Sequence, residues 1–362
     1  MKPFKTYEEQ IEIIRQHKLL PPKNKNAPKM HQPAAILHIT NKSGKVLFPI
    51  DLNKIREFSL SNNDEYVKEI LQTYGYYNII NQYNKPFLNK DGSYQPNMDF
   101  LKLFSLQQMD NRIKNFIFYP ILQVEQRLKT CISYEFAKAY GPFEGEVVNG
   151  DYIEPYFRDI NYNQSLLNKN RIPKYEALID RLKSIHKDND YKPFKHYRLN
   201  HKHIPIWVFI NKLTYGEMLH FYEVLKIQPN ISNQFKLTPS QLRTLMLFLN
   251  QVRNDCAHFS GFYNQIYSRI KNDLPLLVKF QKEFKFSDQR DIPNIFLLLI
   301  AFKYLLPKND FKAILTTIQK EVFEVIANQY IPQLSEYMLN KFCINKKTEC
   351  DKKCIFFRNC KI

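Results

Sequence analysis

The feature that most constrains the fold is a long helical pattern of apolar residues between Asp99 and Tyr140. On both sides of Pro120, apolar side chains recur every three or four residues, which places them on one face of an α-helix. Since proline lacks a backbone N–H and its ring crowds the preceding turn, we expect Pro120 to break or restart the helix. Two long helices joined near a proline are typical of the core of a helical bundle.

Further helices are predicted over residues 6–18, 64–74, 173–187, 206–225 (one or two helices), from 239 to the RNDCAH segment that begins at 253, and over 274–286, 292–305 and 311–340. The strongest start signal is Thr238-Pro239-Ser240-Gln241, with Thr as N-cap, Pro at the first helical position and Gln completing a capping box. Strand character is confined to residues 34–40 and 45–50, which predict a small hairpin or merely a loop. Residues 145–170 are polar and indicate a loop. The expected fold class is mostly α, with at most a small N-terminal β-hairpin.

The balance of charge narrows the choice of partners. Lys and Arg number 53 against 35 acidic residues, a net charge of +18, and such a field concentrates polyanions near the surface. The 23 Tyr and 28 Phe favour nucleic acid, because aromatic rings among cations suit exposed bases. No apolar run approaches the length of a membrane span, and the N-terminus has no apolar signal core. We therefore expect a cytoplasmic protein without a membrane partner.

The most basic segment, residues 181–203, is either a solvated loop or a surface that contacts RNA. Aromatic residues alternate with cations here, which would supply both stacking faces and phosphate contacts. The candidate RNA-binding residues are Lys192, Phe194, Lys195, Tyr197, Arg198 and Lys202. In the block that follows, Trp207 and Tyr215 are predicted to be core residues, because Trp207, Ile210 and Leu213 follow helical spacing.

Cysteines are concentrated at the C-terminus. Cys131 and Cys256 lie within apolar helical patterns and are predicted to be ordinary buried thiols. Four more cysteines lie within the last 20 residues: Cys343, Cys350, Cys354 and Cys360. In a reducing cytoplasm this group is a candidate structural zinc site, with an iron–sulfur cluster or exposed thiols on a basic tail as alternatives.

One short segment combines a permanent cation with a titratable base. Residues 253–258 read RNDCAH and place Arg253 and His258 five positions apart. On an ideal helix this separation is an angle of about 140°, so both side chains line one cleft only where the helix begins, ends or meets a symmetry mate. The spacing alone is common, and an arginine that pairs with carboxylates in a helical core is the ordinary alternative.

The residue types in RNDCAH suit RNA cleavage. Imidazole exchanges protons near neutral pH, and the planar guanidinium matches phosphate oxygens. Asn254 can orient either partner or donate to phosphate. No carboxylate cluster of Mg²⁺-ligand character lies nearby in the sequence, which favours a reaction with no cofactor.

Five blocks of sequence, in order along the chain, carry a resemblance to a known family. They are KPFKTYEEQIEII (2–14), GYYNIINQYNKPF (75–87), VEQRLKTCISYEFAKAYG (124–141), IPIWVFINKLTYGEMLHFY (204–222) and VRNDCAHFSGFYN (252–264). The chain resembles the Abi family of bacterial abortive-infection proteins, of the AbiD and AbiF kind, within the HEPN superfamily of helical ribonucleases. The resemblance implies a HEPN-type helical bundle with helical extensions.

The resemblance also implies roles for RNDCAH. Arg253 and His258 would be the catalytic pair of the superfamily's Arg-x4-6-His motif, with Asn254 as the accompanying polar residue. Two copies of the motif would meet across a homodimer and cleave RNA without a metal ion, leaving a cyclic phosphate. In the preceding block, Glu125 and Arg127 are supporting candidates: either Glu125 orients the pair, or the two belong to a buried ion pair between helices.

Four segments are predicted. They are an N-terminal helix, basic linker and hairpin (1–60), a HEPN-like helical core with the basic insertion 181–203 (61–272), a helical extension (273–340) and the Cys-rich tail (341–362). Three functions fit: a phage-defence endoribonuclease toxin, a non-catalytic binder of a structured noncoding RNA, and a basic protein-interaction module. RNDCAH favours the first, whereas the basic, aromatic-rich composition suits the first two equally.

Overall fold

The computed structural model describes residues 4–22, 39–40, 46–47, 64–96, 98–141, 146–148, 151–168, 173–258, 260–262, 265, 267–284 and 294–315. Within them the chain is mostly helical, which confirms the predicted fold class. The helices are α1 (Tyr7–Gln16), α2 (Asp64–Tyr74), α3 (Phe100–Tyr140), α4 (Lys174–His186), α5 (Lys192–His201), α6 (Ile206–Phe209), α7 (Tyr215–Val224), α8 (Gln228–Asn233), α9 (Pro239–Ala257), α10 (Pro275–Phe284) and α11 (Asn294–Leu305). A π-turn covers Tyr77–Asn81, 3-10 turns cover Lys85–Phe87, Pro155–Phe157, Asp159–Asn161 and Ile210–Lys212, and residues 308–315 are helical.

Two antiparallel strand pairs accompany these helices. The first joins β1 (Ile39–Thr40) to β2 (Val46–Leu47), in the segment where the sequence predicts a small hairpin. The second joins β3 (Glu146–Val148) to β4 (Asp151–Ile153), with Val147 opposite Tyr152, so the prediction of a loop is wrong for these residues. The overlooked signal is Asn149-Gly150 between β-branched and aromatic residues, a dipeptide favoured in two-residue hairpin turns.

The chain divides into two compact units. The described residues of the first come from 1–116 and 255–265, and those of the second come from 117–254 and 266–315. Helices α3 and α9 each contribute residues to both units. The predicted boundaries after residues 60 and 340 lie outside the described residues, so the four-segment division stays a prediction.

In the first unit, α1 packs against α2. Helix α1 begins at a capping box in which the Thr6 hydroxyl accepts from the Glu9 amide and the Glu9 carboxylate accepts from the Thr6 amide. Its apolar face buries Ile11 and Ile14, and an ion pair joins Arg15 to Asp64 at the start of α2. Helix α2 ends as predicted, before a glycine in the left-handed region (Gly75, φ +79°).

Helix α3 is continuous through Pro120, so the prediction that this proline breaks the helix is wrong. Proline removes one backbone hydrogen bond, that to the carbonyl four residues earlier. The helix survives this loss because apolar residues on both sides of it, Ile117 and Ile121 among them, are fully buried. Burial of a 41-residue amphipathic helix therefore outweighs the local preference of one residue.

The second unit has an aromatic cluster in its core. The Phe209 ring of α6 stacks on Tyr156 at 4.4 Å and on Phe194 of α5 at 5.7 Å between centroids. The Tyr156 hydroxyl donates to the Ile204 carbonyl at 2.8 Å, just before α6. These contacts hold α5 against α6, and α4 packs against α7 in the same unit.

Helix α9, which carries most of RNDCAH, begins where the sequence predicts. The Gln241 amide donates to the Thr238 hydroxyl at 3.2 Å, and the Thr238 amide donates to the Gln241 side-chain oxygen at 2.9 Å. This capping box gives an acceptor to two backbone N–H groups, those of Thr238 and Gln241, at the helix start, where N–H groups have no partner within the helix. The helix then buries Leu242, Leu245, Leu249 and Val252 and ends at Ala257.

We expect Thr238→Ala to lower the free energy of unfolding by about 1 kcal/mol, because the substitution removes the N-cap acceptor. Thr238→Ser keeps the hydroxyl and should unfold within a few tenths of a kcal/mol of the wild type. Urea denaturation followed by circular dichroism measures both variants. Equal losses in the two variants would contradict the capping role.

Candidate functional site

RNDCAH occupies the last turns of α9 and the residue that follows them. Arg253 is half-buried, Asn254 and His258 are exposed, and Cys256 is buried with 8% of its surface exposed. Since α9 ends at Ala257, His258 is the first residue after the helix. The direction of its side chain is therefore not set by the angle of about 140° that an ideal helix imposes. A helix end is one of the settings in which the sequence allows Arg253 and His258 to act together.

The guanidinium of Arg253 has a buried nitrogen. Its Nε is buried, and among the residues that the structure describes it has neither a hydrogen-bond acceptor nor a paired carboxylate. The ordinary alternative, an arginine paired with carboxylates in a helical core, is therefore not what the described residues form. The planar fork of Arg253 is available to an anion.

The segment after RNDCAH is anchored on a buried ion pair in α3. Asp110 and Lys114 are 0% and 2% exposed, with Nζ and Oδ2 3.5 Å apart. Lys114 Nζ donates to the Ser260 carbonyl at 2.9 Å, and the Phe262 amide donates to Asp110 Oδ2 at 2.9 Å. Sequence reasoning missed this pair, although an Asp and a Lys four positions apart inside an apolar helical pattern could have indicated it.

Burial shifts the protonation of the groups around this pair. Desolvation lowers the pKa of Lys114, and the charge of Asp110 opposes that shift. Burial raises the pKa of Cys256 to about 12, with the nearby Lys114 charge opposing. Cys256 is thus a protonated structural thiol, which confirms the prediction of an ordinary buried cysteine.

Glu125 and Arg127 have partners other than RNDCAH. Glu125 forms an ion pair with Lys129 at 2.9 Å, and Lys129 Nζ donates to the Leu213 carbonyl at 2.7 Å. Arg127 donates to the Leu305 carbonyl at 2.7 Å and lies over the Phe235 ring. These contacts favour the structural interpretation of both residues; a supporting role at the site stays a prediction.

In the basic segment 181–203 three lysines are exposed, whereas the ring of Phe194 is buried. Lys192, Lys195 and Lys202 are exposed, and Tyr197 is partly exposed. Phe194 is fully buried against Phe209, so its assignment to base contact is wrong in the described structure. The segment is the end of α4, a short connection and α5, rather than one solvated loop.

Arg198 has partners within the chain, so its RNA contact stays a prediction, and Trp207 differs from its predicted role. Arg198 Nη1 donates to the Asp188 carbonyl at 3.1 Å and to Asn189 Oδ1 at 2.8 Å, so it stabilises the connection before α5. The Trp207 side chain is 41% exposed, so its prediction as a core residue is wrong, whereas Tyr215 is buried as predicted. On the short helix α6, Ile206 and Phe209 face the core and leave Trp207 outside.

The candidate zinc ligands of the tail, Cys343 to Cys360, lie outside the described residues. Within the described residues, no three His, Cys, Asp or Glu side chains are grouped so as to hold a metal ion. The zinc site stays a prediction from the sequence.

Comparison with known proteins decides the family. The family model for Abi-like protein matches residues 69–264, which is more than half of the chain. The chain belongs to the Abi-like protein family. No curated protein and no solved structure matches it. Membership assigns the protein, at the general level, to abortive infection, a form of phage defence.

The matched range of this Abi-like protein contains the structural features described above. It covers RNDCAH, the buried pair in α3 and the lysines of α5, together with four of the five sequence blocks. Among the helices that the structure describes, none is long and apolar enough to cross a membrane.

We expect the native Abi-like protein to react slowly with iodoacetamide at Cys256. Burial covers the sulfur and raises its pKa to about 12, so the reactive thiolate is scarce at pH 8. Alkylation of the peptide that contains Cys256, followed by mass spectrometry, should be at least about ten-fold slower than in the urea-unfolded protein. Equal rates in the two states would contradict the burial of this face of α9.

Proposed function

We propose that this Abi-like protein is an RNA-binding protein of HEPN type that cleaves RNA without a metal ion. The observation that carries the proposal is the half-buried guanidinium of Arg253, which has no carboxylate partner among the described residues and lies close along the chain to the exposed imidazole of His258. A cation without an internal partner beside a titratable base suits a phosphodiester and its proton transfers. The AbiD and AbiF kind of abortive-infection protein is the subtype that we assign.

The reaction that these groups suit is attack by a ribose 2′-oxygen on the adjacent phosphorus. One imidazole of His258 accepts the 2′-hydroxyl proton while the new P–O bond forms. The guanidinium of Arg253 donates to the phosphate oxygens, on which negative charge increases. The bond to the 5′-oxygen breaks, and that oxygen receives a proton. The products are a 2′,3′-cyclic phosphate and a 5′-hydroxyl.

A homodimer supplies the second proton-transfer group. Each chain has one His258, whereas the reaction needs a base for the nucleophile and an acid for the leaving oxygen. When two copies of RNDCAH meet, one imidazole serves as the base and the other as the acid. Asn254, which is exposed on α9, then adds a donor for phosphate.

RNA binding without cleavage is the second candidate, and the surface of α5 favours it. Lys192, Lys195 and Lys202 are exposed there, and Trp207 is exposed on α6, which packs against α5. Exposed cations attract phosphates, and an exposed indole can stack on a base. This surface would hold a structured noncoding RNA whether or not RNDCAH is active.

We expect Arg253→Ala and His258→Ala each to lower the rate of RNA cleavage by at least about 100-fold, because each removes a group that acts in the transition state. The substrate is RNA recovered with the protein from its host cells, and the fragments are sequenced and tested for cyclic-phosphate ends. His17→Ala and Lys308→Ala, which change exposed residues of matched type, are the controls and should cleave normally.

Cleavage at the wild-type rate by both site variants would contradict the assignment of the active site. If the wild type retains RNA but cleaves none, the protein is the non-catalytic binder. If no RNA is recovered above background, both RNA functions are wrong.

We expect the triple substitution of Lys192, Lys195 and Lys202 to Glu to weaken binding of single-stranded RNA. Loss of three phosphate contacts should lower the slope of log affinity against log salt by about 2. Binding is followed by the fluorescence of Trp207, the only tryptophan in the chain, which bound RNA should quench.

The matched control replaces three exposed lysines outside α5, at Lys90, Lys271 and Lys308. It lowers the net charge equally but should bind RNA more tightly than the α5 variant. Equal weakening by the two triple variants would show that only total charge matters and would contradict a binding surface on α5.

A further inference from the structure

The chain that follows RNDCAH is held on both sides of Gly261 by one ion pair. Lys114 has a second partner besides Asp110: its Nζ also donates to the carbonyl of Ser260. Asp110 Oδ2 accepts a hydrogen bond from the backbone amide of Phe262. One carbonyl and one amide, on either side of a single residue, are thus bound to side chains 146 and 152 positions away in sequence.

The ion pair is itself fixed. The Tyr83 hydroxyl, from a fully buried side chain, donates to the same Asp110 Oδ2 at 2.7 Å. On the other side of the segment, the Ser260 amide donates to the Asp255 carbonyl at 3.1 Å. His258 therefore lies inside a turn that this hydrogen bond closes on the end of α9, and Lys114 fixes the residue at which the turn closes.

We propose that Asp110 and Lys114 are positioning residues for His258. They hold the backbone at Ser260 and Phe262, and through it the exposed imidazole two residues earlier, in one place at the end of α9. The expected effect on cleavage rests on the proposed ribonuclease function. The expected effect on the position of the His258 side chain does not, because it can be measured without any activity. A misplacement of about 1 Å can reduce catalysis by about 100-fold.

The same helix offers a matched control. Lys129, which is buried, also forms an ion pair with an acidic residue four positions earlier, the partly exposed Glu125, and Lys129 Nζ also donates to a backbone carbonyl, that of Leu213. Lys114→Met and Lys129→Met remove the same charge and the same kind of hydrogen bond. A loss of stability alone affects both variants, whereas a loss of positioning affects only Lys114→Met.

The first experiment records NMR spectra of the full-length protein with ¹³C-labelled histidine rings. The signal of His258 is identified by its absence in His258→Gln. We expect Lys114→Met to move this signal towards its position in the unfolded chain, and Lys129→Met to leave it unchanged. Cleavage by Lys114→Met should fall roughly 10- to 100-fold in kcat with little change in KM.

A milder variant serves if Lys114→Met does not fold. A Cβ on Gly261 would lie 3.1 Å from Gln82 Cγ, closer than an ordinary contact, and 3.4 Å from Cδ and Nε2, at contact distance. Gly261→Ala should therefore displace the segment between its two anchors, shift the His258 signal and slow cleavage. Gln82→Ala removes all three of those atoms, so the double variant should recover both readouts, while Gln82→Ala alone should resemble the wild type.

Two results would overturn the proposal: a His258 signal that is unchanged in folded Lys114→Met and in Gly261→Ala, or equal shifts in Lys114→Met and Lys129→Met. If the wild type cleaves no RNA, the ribonuclease is refuted, and the NMR comparison still decides whether the pair positions His258.

Discussion

The first unit depends on a pair of charges that have both been removed from water. An ionised pair in such a place costs several kcal/mol unless further hydrogen bonds compensate. Here Asp110 accepts hydrogen bonds from the Tyr83 hydroxyl and the Phe262 amide, and Lys114 donates one to the Ser260 carbonyl. Because each of these groups would be left unsatisfied by a shift in register, three distant parts of the chain can meet in only one alignment. The position of the chain that follows RNDCAH is set by that alignment.

Features that depend on neighbouring residues could be predicted from the sequence, and features that depend on tertiary packing could not. The capping boxes at Thr6 and Thr238 involve residues three positions apart, so their pattern is visible in the chain. The effect of Pro120 was misjudged because burial on both sides of it decides whether α3 continues. Lys114 and Ser260 are 146 residues apart, so no local sequence pattern predicts the hydrogen bond between them.

Phe194 and Trp207 illustrate the same limit at the candidate RNA surface. Both are aromatic residues near cations; alternation with cations assigned Phe194 to the surface, and helical spacing assigned Trp207 to the core. Both assignments are reversed in the structure: Phe194 is covered by its stacking on Phe209, and Trp207 lies on the side of α6 away from the buried Ile206 and Phe209. Composition could therefore indicate that aromatic residues and lysines share a surface, but not which ring is available to a base.

The Asp110–Lys114 pair and the guanidinium of Arg253 differ in whether hydrogen bonds compensate the burial of their charge. The Asp110–Lys114 pair is buried and compensated, which is how a structural charge is stabilised. Arg253 is half-buried and its Nε has no acceptor, an arrangement that costs stability because a buried donor is left unsatisfied. A group of the first kind holds the chain in place, whereas a group of the second kind keeps a donor that no described residue uses. An anion with several oxygens, such as a phosphodiester, has the acceptors that the guanidinium of Arg253 is built to bind.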